Sequence, residues 1–473
     1  MHGAIVNDNV APISVPADKL RYIFGISLAA ALGGLLFGYD FVVIGGARQF
    51  YEVYFHLTSA SVIGWANSCA LLGCLIGSIA AGYFADRFGR RKLLLLAAVL
   101  FAVSSAATGW AFSFTAFIVW RIVGGIAIGI SSNVSPLYIA EISPASIRGR
   151  LVSLNQLAIV IGILLAQIVN WRIARPEAAN ISADALFHSW NVQYGWRWMF
   201  TAIVVPSALF IIASILLPES PRWLLNRKRD AAARKTLENI GGEAYAEAEM
   251  ASIHATLLAE SKNTATMRDL FAPRYRGVLA LGIALAVLQQ WTGINVLFNY
   301  AAEVYKSAGY GANDVLLNIV ITGSINLIFT LLAFALVDSL GRRKLMVLGC
   351  AGIGISHLLC AFAYHQHYRG IAVLVLTLSA IACFALTLAP VVWVLISEIF
   401  PNRIRAHGVS AAVSALWIAC FLLTYTFPLL NSALGTGGTF VIYGLISFLG
   451  LVIVLLFVKE TKGQTLEEIG EAA

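Results

Sequence analysis

Asp40 and Arg121 each lie inside a long apolar stretch. A charge there is expensive to hold, rare, and normally matched by a partner of opposite sign. These two are the natural pair of the first half of the chain. The simplest structural role is a static ion pair that fixes helix packing; the functional one is a charge that changes state. Amides lie in comparable stretches at Gln156, Gln167, Gln289, Gln290, Asn295 and Asn326. An amide both donates and accepts hydrogen bonds, so in apolar surroundings it either bridges helices or holds a polar ligand. Gln289, Gln290 and Asn295 fall within two helical turns and converge on one face or its edge, the arrangement of a ligand site.

Further charges stand where apolar stretches end. One loop reads Gly82-Tyr-Phe-Ala-Asp86-Arg87-Phe-Gly89-Arg90-Arg91, and a later one Asp338-Ser-Leu-Gly341-Arg342-Arg343; their aspartates are 252 residues apart. Glu141-Ile-Ser-Pro144-Ala-Ser-Ile-Arg148 returns as Glu398-Ile-Phe-Pro401-Asn-Arg-Ile-Arg405, offset by 257. Two unrelated motifs repeating at nearly one period imply duplicated halves in parallel orientation, with a ligand site between the halves near mid-membrane. The charges read as a latch that pairs across neighbouring helices and must break when the halves rock. The plainer alternative is a set of surface pairs worth little each.

The elements that position these residues follow from composition. Charged residues make up 12% of the 473, hydrophobic residues 59%, and mean hydropathy is +0.81. A typical soluble domain carries about 25% charge. Twelve stretches reach the roughly 20 apolar residues a membrane-spanning helix needs: 22–44, 62–82, 93–112, 116–138, 151–173, 198–217, 277–300, 315–337, 345–364, 371–396, 409–430 and 439–458. They are too long and continuous for barrel strands. The expected fold is an all-α membrane protein of two pseudo-symmetric six-helix bundles, 1–217 and 277–473, joined by a helical linker at 218–276. With twelve spans, 25 Lys and Arg fall on the side of the termini and six on the other, which makes the first side cytoplasmic. The net charge of +8 is thus a topology signal, and no nucleic-acid partner is expected. The segment before Lys19 has no apolar run of a signal peptide and reads as a short cytoplasmic tail.

Cys69, Cys74, Cys350, Cys360, Cys383 and Cys420 all fall in spans and read as small packing residues. His365 and His367 lack a third ligand for a metal. The chain shows no nucleophile–base pairing, phosphate loop or metal motif, so neither an enzyme nor a cofactor is expected.

The motifs together resemble the sugar porter branch of the major facilitator superfamily over about residues 20–470. They are Gly82–Arg91, Arg121-Ile-Val-Gly124-Gly125, Pro218-Glu219-Ser-Pro221-Arg222, Gln289-Gln290-Trp-Thr-Gly293-Ile-Asn295, Gly341-Arg342-Arg343 and Glu460-Thr-Lys462-Gly463. Within that branch the chain is most like bacterial proton–xylose symporters and less like facilitative glucose transporters. Lys459 departs from the family's usual proline.

The resemblance implies alternating access, a monosaccharide and a proton as partners, a cell-membrane location with both termini cytoplasmic, and a monomer. It assigns sugar contacts to Gln156, Gln289, Gln290, Asn295 and Asn326, with Phe37, Trp393 and Trp417 covering the apolar face of the ring; Gln167 matches less well and is left out. It places at Asp40 the aspartate of proton-coupled members, with Arg121 as its switch, and gives gating roles to Gly82, Asp86, Arg87, Arg90, Arg91, Glu141, Arg148, Glu219, Arg222, Asp338, Arg342, Arg343, Glu398 and Arg405. Three departures stand out. Asn299 replaces a tyrosine, Leu416 an amide, and Ile203 an acidic residue of the sixth span. Losing an amide leaves a sugar hydroxyl without its partner, so the preferred sugar is not read from the sequence. The alternatives are a uniporter for a sugar or cyclitol and, less well matched by a tail of 14 residues after Lys459, a nutrient sensor.

Overall fold

The computed structural model of the protein describes residues 16–177, 182–262, 266–401 and 403–460. Both expected tails, with Lys462 and Gly463, lie partly or wholly outside these. Among the described residues the chain is helical and contains no strand. In lipid a helix satisfies every backbone group internally, which apolar runs of this length require.

The first half contains α1 (Ala17–Tyr54), α2 (Ala60–Phe88), α3 (Arg90–Gly109), α4 (Phe114–Ile142), α5 (Arg148–Ile173) and α6 (Ala183–Leu216). The second contains α7 (Pro273–Asn299), α8 (Ala312–Leu340), α9 (Arg342–His365), α10 (Ile371–Glu398), α11 (405–434) and α12 (436–457). The last two run on as one helical stretch of 53 residues. At 1.5 Å per residue that is about 80 Å, far more than a bilayer spans. Gly435, at φ 71° and ψ 171°, breaks the stretch, so the twelve expected spans are present.

Small residues set the closest crossings, as is usual in membranes. A Cβ on Gly125 of α4 would stand 1.9 Å from the carbonyl oxygen of Ala70 in α2. One on Gly38 of α1 would stand 1.9 Å from that of Ile159 in α5. Helix α7 is interrupted at Gly293, whose φ of 83° only glycine adopts freely. The break falls between Gln290 and Asn295.

Two helices exceed their apolar runs. Helix α1 continues ten residues past position 44, carrying Arg48 and Glu52 inside the fold. Helix α6 starts before 198 and passes through a π-helical segment, Asn191–Gly195. There the Asn191 amide clamps the Arg175 backbone, accepting from its N–H and donating to its carbonyl, both at 2.8 Å. Hydropathy sees neither, because both carry polar side chains drawn inside the fold. The segment after α6 contains the helices Pro221–Asn226, Asp230–Gly241 and Glu243–Lys262. Trp223 and Arg227 fix it to the end of α2 by donating to the Asp86 carbonyl, each at 2.9 Å.

Candidate functional site

At the α7 break the three clustered amides form a chain. Gln289 Nε2 donates to the carbonyls of Leu388 (3.2 Å) and Ala389 (3.4 Å) on α10. Gln290 Nε2 donates to Gln289 Oε1 at 3.3 Å, and Asn295 Nδ2 donates to Gln290 Oε1 and, at 3.3 Å, to Cys420 Sγ on α11. The chain therefore ties α7 to α10 and α11 at the point where α7 is unwound. Gln156 on α5 is half-buried, Asn326 on α8 is buried, and no hydrogen bond among the described residues joins either to that chain. Phe37 of the first half meets Trp417 of the second, ring centroids 5.9 Å apart. Trp417 Nε1 is buried without an acceptor among the described residues. Trp393, on α10, is 40% exposed and makes no ring contact with those two. The structure thus groups Gln289, Gln290 and Asn295, and separately Phe37 and Trp417.

The departures from the family pattern lie deep in the fold. Asn299 is buried with Oδ1 unpaired among the described residues, and Leu416 is buried. Gln167, outside the matched positions, is buried with both amide atoms unpaired among the described residues; a Cβ on Gly323 of α8 would meet its Oε1 at 1.9 Å.

Asp40 and Arg121 form the expected pair. They are 2% and 3% exposed, with Arg121 Nη1 donating to Asp40 Oδ1 at 2.5 Å and Nη2 to the Asp40 carbonyl at 3.5 Å. Asp40 Oδ2 and Arg121 Nε have no hydrogen-bond partner among the described residues. A Cβ on Gly124 would come within 3.0 Å of Asp40 Oδ2, so the bare glycine accommodates the carboxylate. Phe200 of α6 lies under the guanidinium, 5.3 Å from ring centroid to Cζ. Ile203, one turn on, is wholly buried and offers no acid.

At the opposite ends of these helices the charge motifs are satisfied twice over, once per half. Arg90 is bidentate to Glu141 at 2.9 Å and 2.9 Å and also reaches Asp86 at 3.0 Å. Its counterpart Arg342 lies 3.6 Å from Glu398. Glu219 does not pair with a guanidinium as its main contact. Its Oε1 accepts from the backbone N–H of Arg90 (2.9 Å) and Arg91 (3.2 Å), capping α3, where Gly89 leaves room. Glu460 repeats this on the N–H groups of Arg342 (2.9 Å) and Arg343 (3.2 Å) beside Gly341. A carboxylate at a helix N-terminus satisfies orphan donors and meets the positive end of the dipole. Arg91 donates to the carbonyls of Ser214 and Ile215 at 3.3 Å and 2.5 Å, and Arg343 to that of Leu455 at 2.7 Å; each closes the end of the neighbouring span.

Arg148 and Arg405 bond backward to the carbonyls of Ser143 (3.3 Å) and Phe400 (3.1 Å). Arg87 is exposed and donates to the Tyr83 hydroxyl at 3.2 Å. Nothing among the described residues approaches within 4 Å of where a Gly82 Cβ would stand. Arg222 sits in the short helix Pro221–Asn226, and the Asp338 side chain lies outside the described residues. The pairs Arg90–Glu141 and Arg342–Glu398 each stay within one half, α3 to α4 and α9 to α10.

Replacing Glu219 by Ala, which removes the acceptor from the α3 terminus, is expected to destabilise the first half by about 0.5–2 kcal/mol. Glu219→Gln keeps an acceptor and should lose less. Thermal unfolding of the two purified variants checks this; equal midpoints for Glu219→Ala and the parent would refute the capping role.

Sequence reasoning missed the opposite face. Arg48 counts as a loop residue by hydropathy, yet it lies on α1 with Glu52 one turn away. That i,i+4 spacing is the signal that could have placed both on the helix.

The family model described as "Sugar (and other) transporter" matches residues 26–473. The chain is 40% identical to the D-xylose-proton symporter of Escherichia coli K12, covering 95% of each, and 37% identical to the arabinose-proton symporter of Bacillus subtilis, covering 96% of this chain and 95% of that one. It superposes on the inward-open xylose transporter XylE from E. coli with a TM-score of 0.83 at 38% identity, over 95% of this chain and 99% of that one. The same transporter bound to 6-bromo-6-deoxy-D-glucose gives 0.80 at 38% identity, over 96% and 99%. A family model spanning nearly the whole chain and relatives of this identity and coverage establish that the chain belongs to the sugar transporter family of the major facilitator fold.

Proposed function

We propose that this protein imports a monosaccharide together with a proton, exposing one central site alternately to the two sides of the membrane. The observation that carries this reading is the sealed Asp40–Arg121 pair, with one carboxylate oxygen and one guanidinium nitrogen left unpaired. A buried pair satisfied on all sides would be a static strut. One that leaves a carboxylate oxygen and a guanidinium nitrogen without partners keeps groups that can change contacts as the halves move. The sugar contacts are Gln156, Gln289, Gln290, Asn295, Asn326, Phe37, Trp393 and Trp417. The unpaired Trp417 Nε1 and the amide chain at the α7 break supply donors and acceptors for hydroxyls, and the aromatic pair supplies an apolar face. Relatives named as xylose– and arabinose–proton symporters support both substrate and coupling.

The residues 1–217 and 277–473 rock as two bundles about that site, with 218–276 linking them, and the duplicated end motifs steady the bundle ends. The face bearing Arg90, Arg148, Arg342 and the linker is cytoplasmic, as the excess of basic residues there supports. The protein works as a monomer in the cell membrane and carries out no chemical conversion.

The test is uptake by purified protein in vesicles, using hexoses, pentoses and cyclitols with and without a proton gradient. A sugar is expected to accumulate only with the gradient, and its addition should alkalinise the outer medium. Sugar that equilibrates but never accumulates would replace this reading with uniport.

A further inference from the structure

Away from the sugar site and the basic end motifs, the two halves are joined by an ion pair at the far end of α1. Arg48 Nη2 lies 2.7 Å from Glu303 Oε2, in the short helix Ala301–Ser307 that follows α7. The Arg48 side chain is 8% exposed and Glu303 30%. The guanidinium also lies over the Tyr300 ring, 4.4 Å from its centroid, and its Nε donates to Glu52 one turn on. Glu303 Oε1 accepts from Asn431 at the end of α11, whose Oδ1 accepts from Thr436 Oγ1 at 3.0 Å. Tyr300 donates to the Thr424 carbonyl at 2.6 Å. A chain of polar contacts therefore runs from α1 through the helix after α7 to α11 and α12.

Just inside it the backbones touch. A Cβ on Gly45 would stand 2.4 Å from the Phe298 carbonyl oxygen, and Val42 is buried among Ile294, Leu297 and Phe298. Just outside it lies a cavity of about 790 Å³ lined by Arg48, Glu52, His56, Glu303 and Lys306 among others. Arg48 and Glu303 thus stand between an open antechamber and a closed apolar seam.

We infer that Arg48 and Glu303 form the latch that closes the outer mouth of the sugar path, so that opening to the outside requires parting this pair. What makes the pair a latch is the partner each member keeps when it opens. Breaking a buried ion pair by stranding one charge is strongly unfavourable. Here Arg48 retains Glu52 on its own helix, and Glu303 retains Asn431 in its own half. The halves can separate with each charge still hydrogen-bonded on its own side, so parting the pair strands neither. Tyr300 adds a cation–π hold that also lies across the seam.

This inference rests on the reading of the basic face as cytoplasmic, and the experiment separates the two. Val42→Cys places a thiol in the closed seam, and Gln49→Cys places one on the antechamber wall. Full-length protein in intact cells is treated with a membrane-impermeant thiol reagent, the parent chain serving as blank. Gln49→Cys should react from outside; reaction only in inverted vesicles would overturn the orientation, and the latch would then be read from that side. Val42→Cys should react slowly. Adding Arg48→Met or Glu303→Gln should each raise its rate roughly tenfold, and adding both should raise it no further, because either one opens the same pair. Arg48→Lys should restore part of the slow rate. Glu303→Gln keeps its shape and its Asn431 bond, so it remains informative where Arg48→Met folds poorly. Unchanged rates in Glu303→Gln, or rates that multiply in the double variant, would overturn the latch.

Discussion

Vesicles carrying Asp40→Asn are expected to equilibrate sugar across the membrane without concentrating it. One proton moving inward gains about 2.3 kcal/mol per 100 mV. At about 1.4 kcal/mol per tenfold, one proton per sugar sustains accumulation of about fiftyfold for each 100 mV, and all of it should vanish in the variant. Exchange of labelled for unlabelled sugar should persist, because the neutral amide resembles the protonated acid. The surroundings of Arg121 make that persistence reasonable. When the carboxylate is neutral, the guanidinium still has the Asp40 carbonyl at 3.5 Å and the face of Phe200, so the helix packing need not collapse. With Ile203 in place of an acid, no second carboxylate among the described residues pairs with Arg121 to take over the proton. The measurements are accumulation, sugar-induced alkalinisation and counterflow on one preparation. Concentration of sugar by Asp40→Asn, or no pH change with the parent, would make Asp40 a packing residue.

The same pair shows what a sequence discloses. Asp40 and Arg121 are legible because lipid-depth charges are rare enough that two in one half must meet. The twelve spans are legible because apolar length is a bulk property, and the duplicated motifs because two offsets nearly coincide. The geometry of the ends was less so. Glu219 reads as one more charge in a cluster of arginines, but its partners are backbone N–H groups of α3, which carry no residue identity for a sequence to display. Gln289 reads as a sugar contact, and in the fold it also holds two carbonyls of α10. Arg48 and Arg197 count as outer loop charges, yet both are buried. Arg197 closes the end of α3 through the carbonyls of Gly109 and Ala111 at 3.0 Å and 3.1 Å, and Arg48 bridges the halves. Hydropathy assigns a charge to water by default; only the tertiary partner reveals that it has been drawn inside.

Gln289→Ala is expected to weaken sugar binding by about 1–3 kcal/mol, the range for leaving a buried polar group unpaired, or roughly 5- to 150-fold in apparent affinity. The loss has two sources, and they can be told apart. Removing the amide strips two acceptors on α10 of their donor and takes from Gln290 Nε2 its partner Oε1. Gln290 in turn orients Asn295, so the whole amide chain at the α7 break loosens. That indirect effect lowers the affinity for every sugar alike and lowers the thermal midpoint. A direct bond to one hydroxyl behaves differently, because the deoxy analogue lacking that hydroxyl loses the bond in the parent already. Gln289→Ala should then bind the parent sugar and that analogue almost equally, while the parent protein separates them. Competition by a series of deoxy sugars against uptake of the best substrate reads this directly. Unchanged apparent affinity for that substrate would remove Gln289 from the site; a uniform loss across the series would leave it as the strut that holds α7 open beside α10.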